Sequence, residues 1–415
     1  MSELPKSVGE SKSVWLGRNY AIYWGGSLSV AIALWVQRLT VAWLAWEITG
    51  SGFWLGLVAT ADLLPSIVLG PPAGILADRF NRKRLTYLCQ TANVAVVLAL
   101  AAIVSVGFVD EYWLLGFAIL SGIIASVQQP VRMSLTATLV EKPQIARAVA
   151  LMSINAHASR FAGPAIVGPI LAFGNASFSF YTCAVLYGAM VLALPFLRVG
   201  DRERKLSEWK GFKAEFNVGL KFTAMHPAVG PIICSFLLLS VFGRSVFELL
   251  PGIADGIFSE GPEGFSILAV AVGTGTVLSC FWLAHRPDVR CTFSTVIGFM
   301  FVFGAAGLAL SQATVFWAAV AFATVAAFAV TTSTIGSAAV IQTAVPDDIR
   351  GRVLGIFGAL YRAAPAVGAV GMGWASDVIG LRWPVAIGAA VCLGWWLLMQ
   401  ALKPRIEARF EAEGD

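Results

Sequence analysis

Four ionisable residues, Arg38, Asp62, Arg244 and Glu248, stand inside otherwise apolar runs. At the centre of a bilayer-spanning helix an ionisable side chain costs about 2.5–3.5 kcal/mol on insertion scales, so each implies a task performed there. Arg38 and Asp62 are each twelve residues from Gly50, which separates two apolar runs. Equal rise along antiparallel neighbours puts the two at similar depth, where an ion pair is geometrically possible. A carboxylate paired with arginine in one conformation and released in another changes its proton affinity between states, which is the chemistry of proton coupling. A static, permanently paired strut would use the same two residues. Arg244 and Glu248 are four apart, a spacing that lets them pair along one helical face. Glu248 is then either a second proton carrier or the neutraliser of Arg244.

Other polar side chains sit in the apolar runs as candidates for lining a cavity: Gln37, Arg132, His157, Arg160, Thr332 and Arg362. His157 and Arg160 are near neighbours on a helix, although a lone histidine in a bundle is more often a packing residue than a carrier. Thr332 belongs to the cluster Thr331 to Thr334, which either bonds a substrate or bonds back to its own helix. Trp35, Trp43 and Trp46 furnish an aromatic wall or an interfacial belt.

The elements that must position these residues follow from composition. Of 415 residues, 58% are hydrophobic and 13% charged, with a mean hydropathy of +0.77, whereas soluble domains carry about 25% charged residues. The bilayer is the solvent of this chain. About 20 apolar residues are needed per crossing, and runs of that kind lie near 20–48, 53–76, 85–108, 112–137, 147–172 and 177–197, then near 228–252, 263–284, 291–311, 313–341, 352–378 and 381–402. The expected architecture is an all-α polytopic membrane protein with twelve transmembrane helices in two pseudo-symmetric six-helix bundles. Residues 1–197 form the first bundle, 198–227 a cytoplasmic linker, 228–402 the second bundle and 403–415 a cytoplasmic tail.

Orientation follows from the basic residues. With the N-terminus inside, 23 of the 29 lysines and arginines fall in cytoplasmic segments, as the positive-inside rule requires. The net charge of +5 is thereby explained by topology, and nucleic acid is excluded as a partner. The polar stretch before the first run lacks the pattern of a cleaved signal peptide. Six scattered cysteines suit neither a disulfide framework nor a metal site. Walker-type, His-Glu-x-x-His and Gly-x-Ser-x-Gly motifs are all missing, so no enzyme, catalytic residue or metal is expected. The halves echo one another: Arg160-Phe-Ala-Gly-Pro164 parallels Arg362-Ala-Ala-Pro365. Parallel repeats of this kind place a substrate site between two bundles.

The loop after the second run reads Gly74-Ile-Leu-Ala-Asp78-Arg79-Phe-Asn81-Arg82-Lys83-Arg84. It resembles the signature between helices two and three of the major facilitator superfamily, with Asn81 where the family usually has glycine. The resemblance implies that Gly74, Asp78, Arg79, Arg82 and Lys83 latch one half against the other. The corresponding loop of the second half, Leu283-Ala-His285-Arg286-Pro-Asp288, departs from the pattern at His285. Gly163-Pro164-Ala-Ile-Val-Gly168-Pro169 resembles the antiporter motif of proton-coupled exporters, with Pro169 in place of the last glycine. Asn19-Tyr20, Trp35-Val-Gln37-Arg38, Trp43 to Ser51 and Arg350-Gly351-Arg352-Val353 look like the branch of the enterobactin exporter and macrolide efflux proteins. The fourth-helix arginine motif of the superfamily is not at its usual place; Arg132 stands nearer the cytoplasmic end.

The resemblance implies efflux of a small amphiphilic molecule, a drug or siderophore, by alternating access in a bacterial inner membrane. A proton gradient supplies the energy without a cofactor, and the protein is a monomer with both termini cytoplasmic. An importer or lysolipid flippase on the same fold is the first alternative, and a non-transporting receptor or assembly factor the second.

Overall fold

A computed structural model describes residues 17–198, 222–223, 226, 229–285 and 293–413, without the side chains at 71, 74, 75, 77–79, 142, 347–348 and 403–413. Twelve helices follow one another among the described residues. The first six are α1 (Arg18–Thr49), α2 (Gly52–Arg79), α3 (Arg82–Val106), α4 (Glu111–Thr138), α5 (Ile145–Ala172) and α6 (Ala176–Ala193). The second six are α7 (Val229–Ile257), α8 (Gly261–Ala284), α9 (Phe293–Gln312), α10 (Phe316–Ala344), α11 (Asp347–Ile379) and α12 (Arg382–Glu413). Eleven are long and apolar enough to cross a membrane. The twelfth, α5, carries Arg147, Asn155, His157, Ser159 and Arg160, which lower its hydropathy, yet it packs against both α1 and α8. Alternating direction puts the start of α1 and the end of α12 at one end of the bundle, here the proximal end. The tight turns at Gly50, Gly107 and Gly380 lie at the distal end.

Backbone groups at the turns are satisfied locally, as a membrane span requires. Gly50 closes α1 in the left-handed region at φ 60°, which lets Ser51 cap α2 at once. Asn81 caps α3 by accepting from the Arg84 N–H at 3.1 Å, a bond that glycine, usual at this place in the superfamily signature, has no side chain to make. Asn81→Ala is expected to cost about 1 kcal/mol of stability, read as faster amide exchange in the first turn of α3; unchanged exchange there would count against the cap.

Polar bonds sew α1 into its half. Tyr20 donates to the Ala148 carbonyl at 2.7 Å, and Asn155 donates to the Trp24 carbonyl at 3.0 Å, both joining α1 to α5. Tyr187 of α6 donates to Gln37 Oε1 at 2.9 Å, and Gln37 Nε2 donates to Ser121 of α4 at 2.9 Å. Outside, Leu88, Val185, Leu192 and Val367 present exposed apolar surface suited to lipid.

The halves meet along two seams, α2 with α11 and α5 with α8. At the first, a Cβ on Gly56 would overlap the Ala369 carbonyl, and Gly52 and Gly373 touch through backbone. Thr60 donates to the Ala366 carbonyl at 2.8 Å. At the second, Gly168 admits Ser266, and Gly273 admits the Arg160 backbone. Small residues at such crossings let helix backbones approach and slide.

α7 is not a regular helix. An α segment, Val229–Leu238, widens into a π turn at Leu239–Arg244, tightens to 3₁₀ at Ser245–Leu249 and ends in a second π turn at Ile253–Ile257. The change of pitch occurs where Gly368 of α11 leaves room for the Val241 carbonyl, and where Ser245 donates to the Pro365 carbonyl at 3.0 Å.

Candidate functional site

A cavity of about 220 Å³ opens between the halves. α1 contributes Trp35, Gln37, Arg38 and Ala42, α2 contributes Val58 and Asp62, α5 contributes Arg160 and Pro164, and α7 contributes Arg244, Phe247 and Glu248. Phe117, Ser121, Phe265, Gly273, Thr276, Thr331 and Pro365 complete much of the wall. The two prolines that the internal repeat relates, Pro164 and Pro365, thus face the same space.

Arg38 and Asp62 meet in this wall. Arg38 Nε donates to Asp62 Oδ2 at 2.8 Å and Nη2 donates to the same oxygen. Neither bond uses Oδ1, so the carboxylate keeps one oxygen for a proton, a water or a ligand while the pair is intact. Side-chain exposure is 34% for Arg38 and 14% for Asp62, so the pair faces the cavity rather than a packed core.

Arg244 and Glu248 do not pair with each other. Arg244 instead donates to the Tyr361 carbonyl at 3.0 Å and lies 4.1 Å from the centre of the Tyr361 ring. The reason is the local pitch: at three residues per turn a spacing of four rotates a side chain by about 120°, not the 40° of an α-helix. Glu248 consequently makes no hydrogen bond or ion pair with a described residue and faces the cavity.

The remaining candidates divide. Gln37 and Arg160 line the cavity, with the Arg160 guanidinium 5.5 Å from the Trp35 ring. Arg132, His157, Thr332 and Arg362 are off its wall. Arg132 donates to Gln129 Oε1 at 3.1 Å in an exposed position, and Arg362 is exposed on α11. His157 sits at the α5–α8 seam, 3.7 Å from Cys280 Sγ. Thr332 is buried and bonded to Ser279 at 2.7 Å; its neighbour Thr331, turned by one residue, takes the cavity position. Of the motif residues, Gly163 admits Trp35 of α1, and Pro164 lines the cavity. Pro169, late in α5, leaves its carbonyl to accept from the Phe173 N–H. Lys83 donates to the carbonyls of Pro195 and Leu197 within its own half at 3.2 and 2.7 Å, and Arg82 opens α3. The side chains of Asp78 and Arg79, together with the surroundings of Gly74, lie outside the described residues, as do His285's successors 286–292 and nearly all of the expected linker.

The distal end carries contacts that the sequence did not announce. Asp377 of α11 accepts from the Ser51 hydroxyl at 2.5 Å and from the Gly52 and Phe53 N–H groups at 2.7 and 3.2 Å, capping α2 across the halves. Trp46 Nε1 donates to Asp255 at 2.9 Å, joining α1 to α7. An aspartate beside the Gly380 turn was the available signal, but its partner lies more than 320 positions away.

A cavity walled by both halves, with buried charge and glycine seams on either side, is the geometry of alternating access. The family described as transmembrane secretion effector matches residues 16–412. The chain belongs to that family. This places the chain among the major facilitator transporters, which carry small molecules across membranes and are not enzymes. The staphyloferrin A transporter of Staphylococcus aureus is 25% identical over 260 residues, 62% of this chain and 64% of that protein. The enterobactin exporter of Shigella boydii is 25% identical over 403 residues, 92% of this chain and 88% of that protein. Among solved structures, a bacterial homologue of the lysosomal transporter Spinster in an inward-facing conformation superposes with a TM-score of 0.68 at 13% identity, covering 94% of this chain and 99% of the other. That likeness concerns the fold.

Proposed function

We propose that this protein exports a small amphiphilic molecule across a bacterial inner membrane by alternating access, coupled to proton entry. The carrying observation is the Arg38–Asp62 pair in the wall of the inter-half cavity, with one carboxylate oxygen uncommitted. Opening and closing of the halves moves α1 and α2 relative to α7 and α11, so Asp62 meets a different environment in each state, which is the requirement for moving a proton. Glu248, facing the cavity without a hydrogen-bond or ion-pair partner among the described residues, is the second proton site. The distribution of basic residues supports a cytoplasmic proximal end. On that orientation the Asp377 cap and the Trp46–Asp255 bond hold the outer side closed, so the cavity is poised toward the cytoplasm. The enterobactin exporter among the relatives supports the outward direction and a siderophore as cargo.

The test is reconstitution in liposomes with an imposed pH gradient, following internal pH while siderophores, macrolides and lipophilic cations are added. Inverted vesicles acidified inside are expected to accumulate a cargo molecule, and accumulation only on reversing the gradient would point to import. Glu248→Gln leaves a side chain that takes up no proton at neutral pH and is expected to lower substrate-dependent proton flux by at least about tenfold. Flux equal to wild type would remove Glu248 from the pathway.

A further inference from the structure

The cavity wall holds more positive charge than negative. Arg38, Arg160 and Arg244 face it with two carboxylates, Asp62 and Glu248. Asp62 is bonded to Arg38, which leaves Arg160 and Arg244 against Glu248, and neither arginine forms an ion pair with it. An uncompensated guanidinium between apolar helices is unfavourable until an anion joins it. Trp35 and Tyr361 cover ring-facing sides of the two guanidinium groups at 5.5 and 4.1 Å. Such stacking steadies an arginine through its flat face and leaves N–H edges to bind a ligand in a forked geometry. Arg160 belongs to α5 and Arg244 to α7, so one anion between them touches both halves, which is what a cargo must do to influence their closure.

We propose that Arg160 and Arg244 together bind an anionic group, a carboxylate or phosphate, on the transported molecule; the proposal rests on the cavity's being the transport site. The cargo class is therefore an anionic amphiphile rather than a lipophilic cation. With Asp62 ionised on Arg38, one bound anion brings the wall to neutrality, whereas the emptied carrier is positive. In a membrane with a negative interior, the anion leaves and the positive empty carrier returns along the same field, so this cargo class suits export.

The test uses the full chain in nanodiscs of zwitterionic lipid. Three probes are titrated by calorimetry to millimolar concentration: 1-naphthoate, its cationic counterpart 1-naphthylmethylammonium, and lysophosphatidylglycerol as a lipid-borne anion. Naphthoate or the lysolipid is expected to bind at least about tenfold more tightly than the cation, and whichever does so identifies a soluble or a lipid source. Arg160→Gln and Arg244→Gln are each expected to reduce that preference for anion over cation by about tenfold. Arg160→Lys is expected to retain most of it, and Arg84→Gln, at an exposed site outside the cavity, all of it. A ratio of affinities is not moved by partial loss of folded protein, so a structural role alone does not reproduce the result. Equal binding of the cation, no saturable anion binding, or an unchanged ratio in both glutamine variants would overturn the proposal. Proton flux plays no part in this readout. Anion binding without proton flux counts against the coupling only, and proton-coupled movement of cations counts against the anion site only.

Discussion

Asp62→Asn is expected to abolish substrate-dependent proton flux, a loss of about 100-fold or more, the scale on which removal of a proton-transferring group acts. Asparagine keeps an oxygen for the Arg38 N–H groups but takes up no proton at neutral pH. Substrate exchange across the membrane without net proton movement is expected to persist, because the rest of the wall is intact. The substitution also leaves Arg38 without its counter-ion. For a fully buried pair that costs about 3–5 kcal/mol; with Arg38 34% and Asp62 14% exposed to the cavity, solvent screening reduces it to about 1–2 kcal/mol. Stability and coupling are separated by the double variant Arg38→Gln with Asp62→Asn. If the pair is only a strut, removing both charges relieves the lone arginine and transport returns with its proton flux. If Asp62 carries the proton, the double variant folds, exchanges substrate and moves no protons. Pyranine-loaded liposomes measure the flux and radiolabelled counterflow measures the exchange; a double variant with full proton flux would leave the strut as the sole reading.

Gly56→Val is expected to displace the resting conformation toward an open distal end and to slow transport by at least about tenfold. At Gly56 a new Cβ meets backbone, the carbonyl carbon and oxygen of Ala369 and the nitrogen of Val370, so no rotamer change relieves the overlap. Overpacking of this kind costs about 1–3 kcal/mol. The cost falls only on states in which α2 and α11 are closed at this level, and a bias of that size shifts a two-state population by about 5- to 150-fold. The displaced contacts include Thr60 to Ala366 and the cap of α2 by Asp377. Spin labels at the exposed positions Glu47 and Ile379 report the separation of the halves at that end. A shift to longer distances is expected for Gly56→Val and none for Gly371→Ala, whose Cβ meets nothing within 4 Å. Identical distance distributions in all three proteins would mean that the seam does not govern closure.

By itself the sequence determined the membrane class, the twelve-helix count and the two-bundle plan, because the demand for about 20 apolar residues per crossing is written along the chain. It also placed Arg38 opposite Asp62, since that inference needs only equal rise on either side of Gly50. Facing was harder to read. In a soluble helix a polar side marks the exterior, but here lipid and neighbouring helices are both apolar, so Thr331 and Thr332 look alike although a turn of 100° puts one on the cavity and the other against Ser279. Arg132 and Arg362 were indistinguishable from Arg160 for the same reason. The Arg244–Glu248 spacing misled because α7 changes pitch between them, at the level where Gly368, more than 100 positions away in the chain, lets α11 approach the Val241 carbonyl closely. Asp377 caps α2, and Trp46 reaches Asp255, through packing of the two halves. Contacts of that kind depend on how helices cross and rotate, which local hydrophobicity does not encode, and only the tertiary structure decided them.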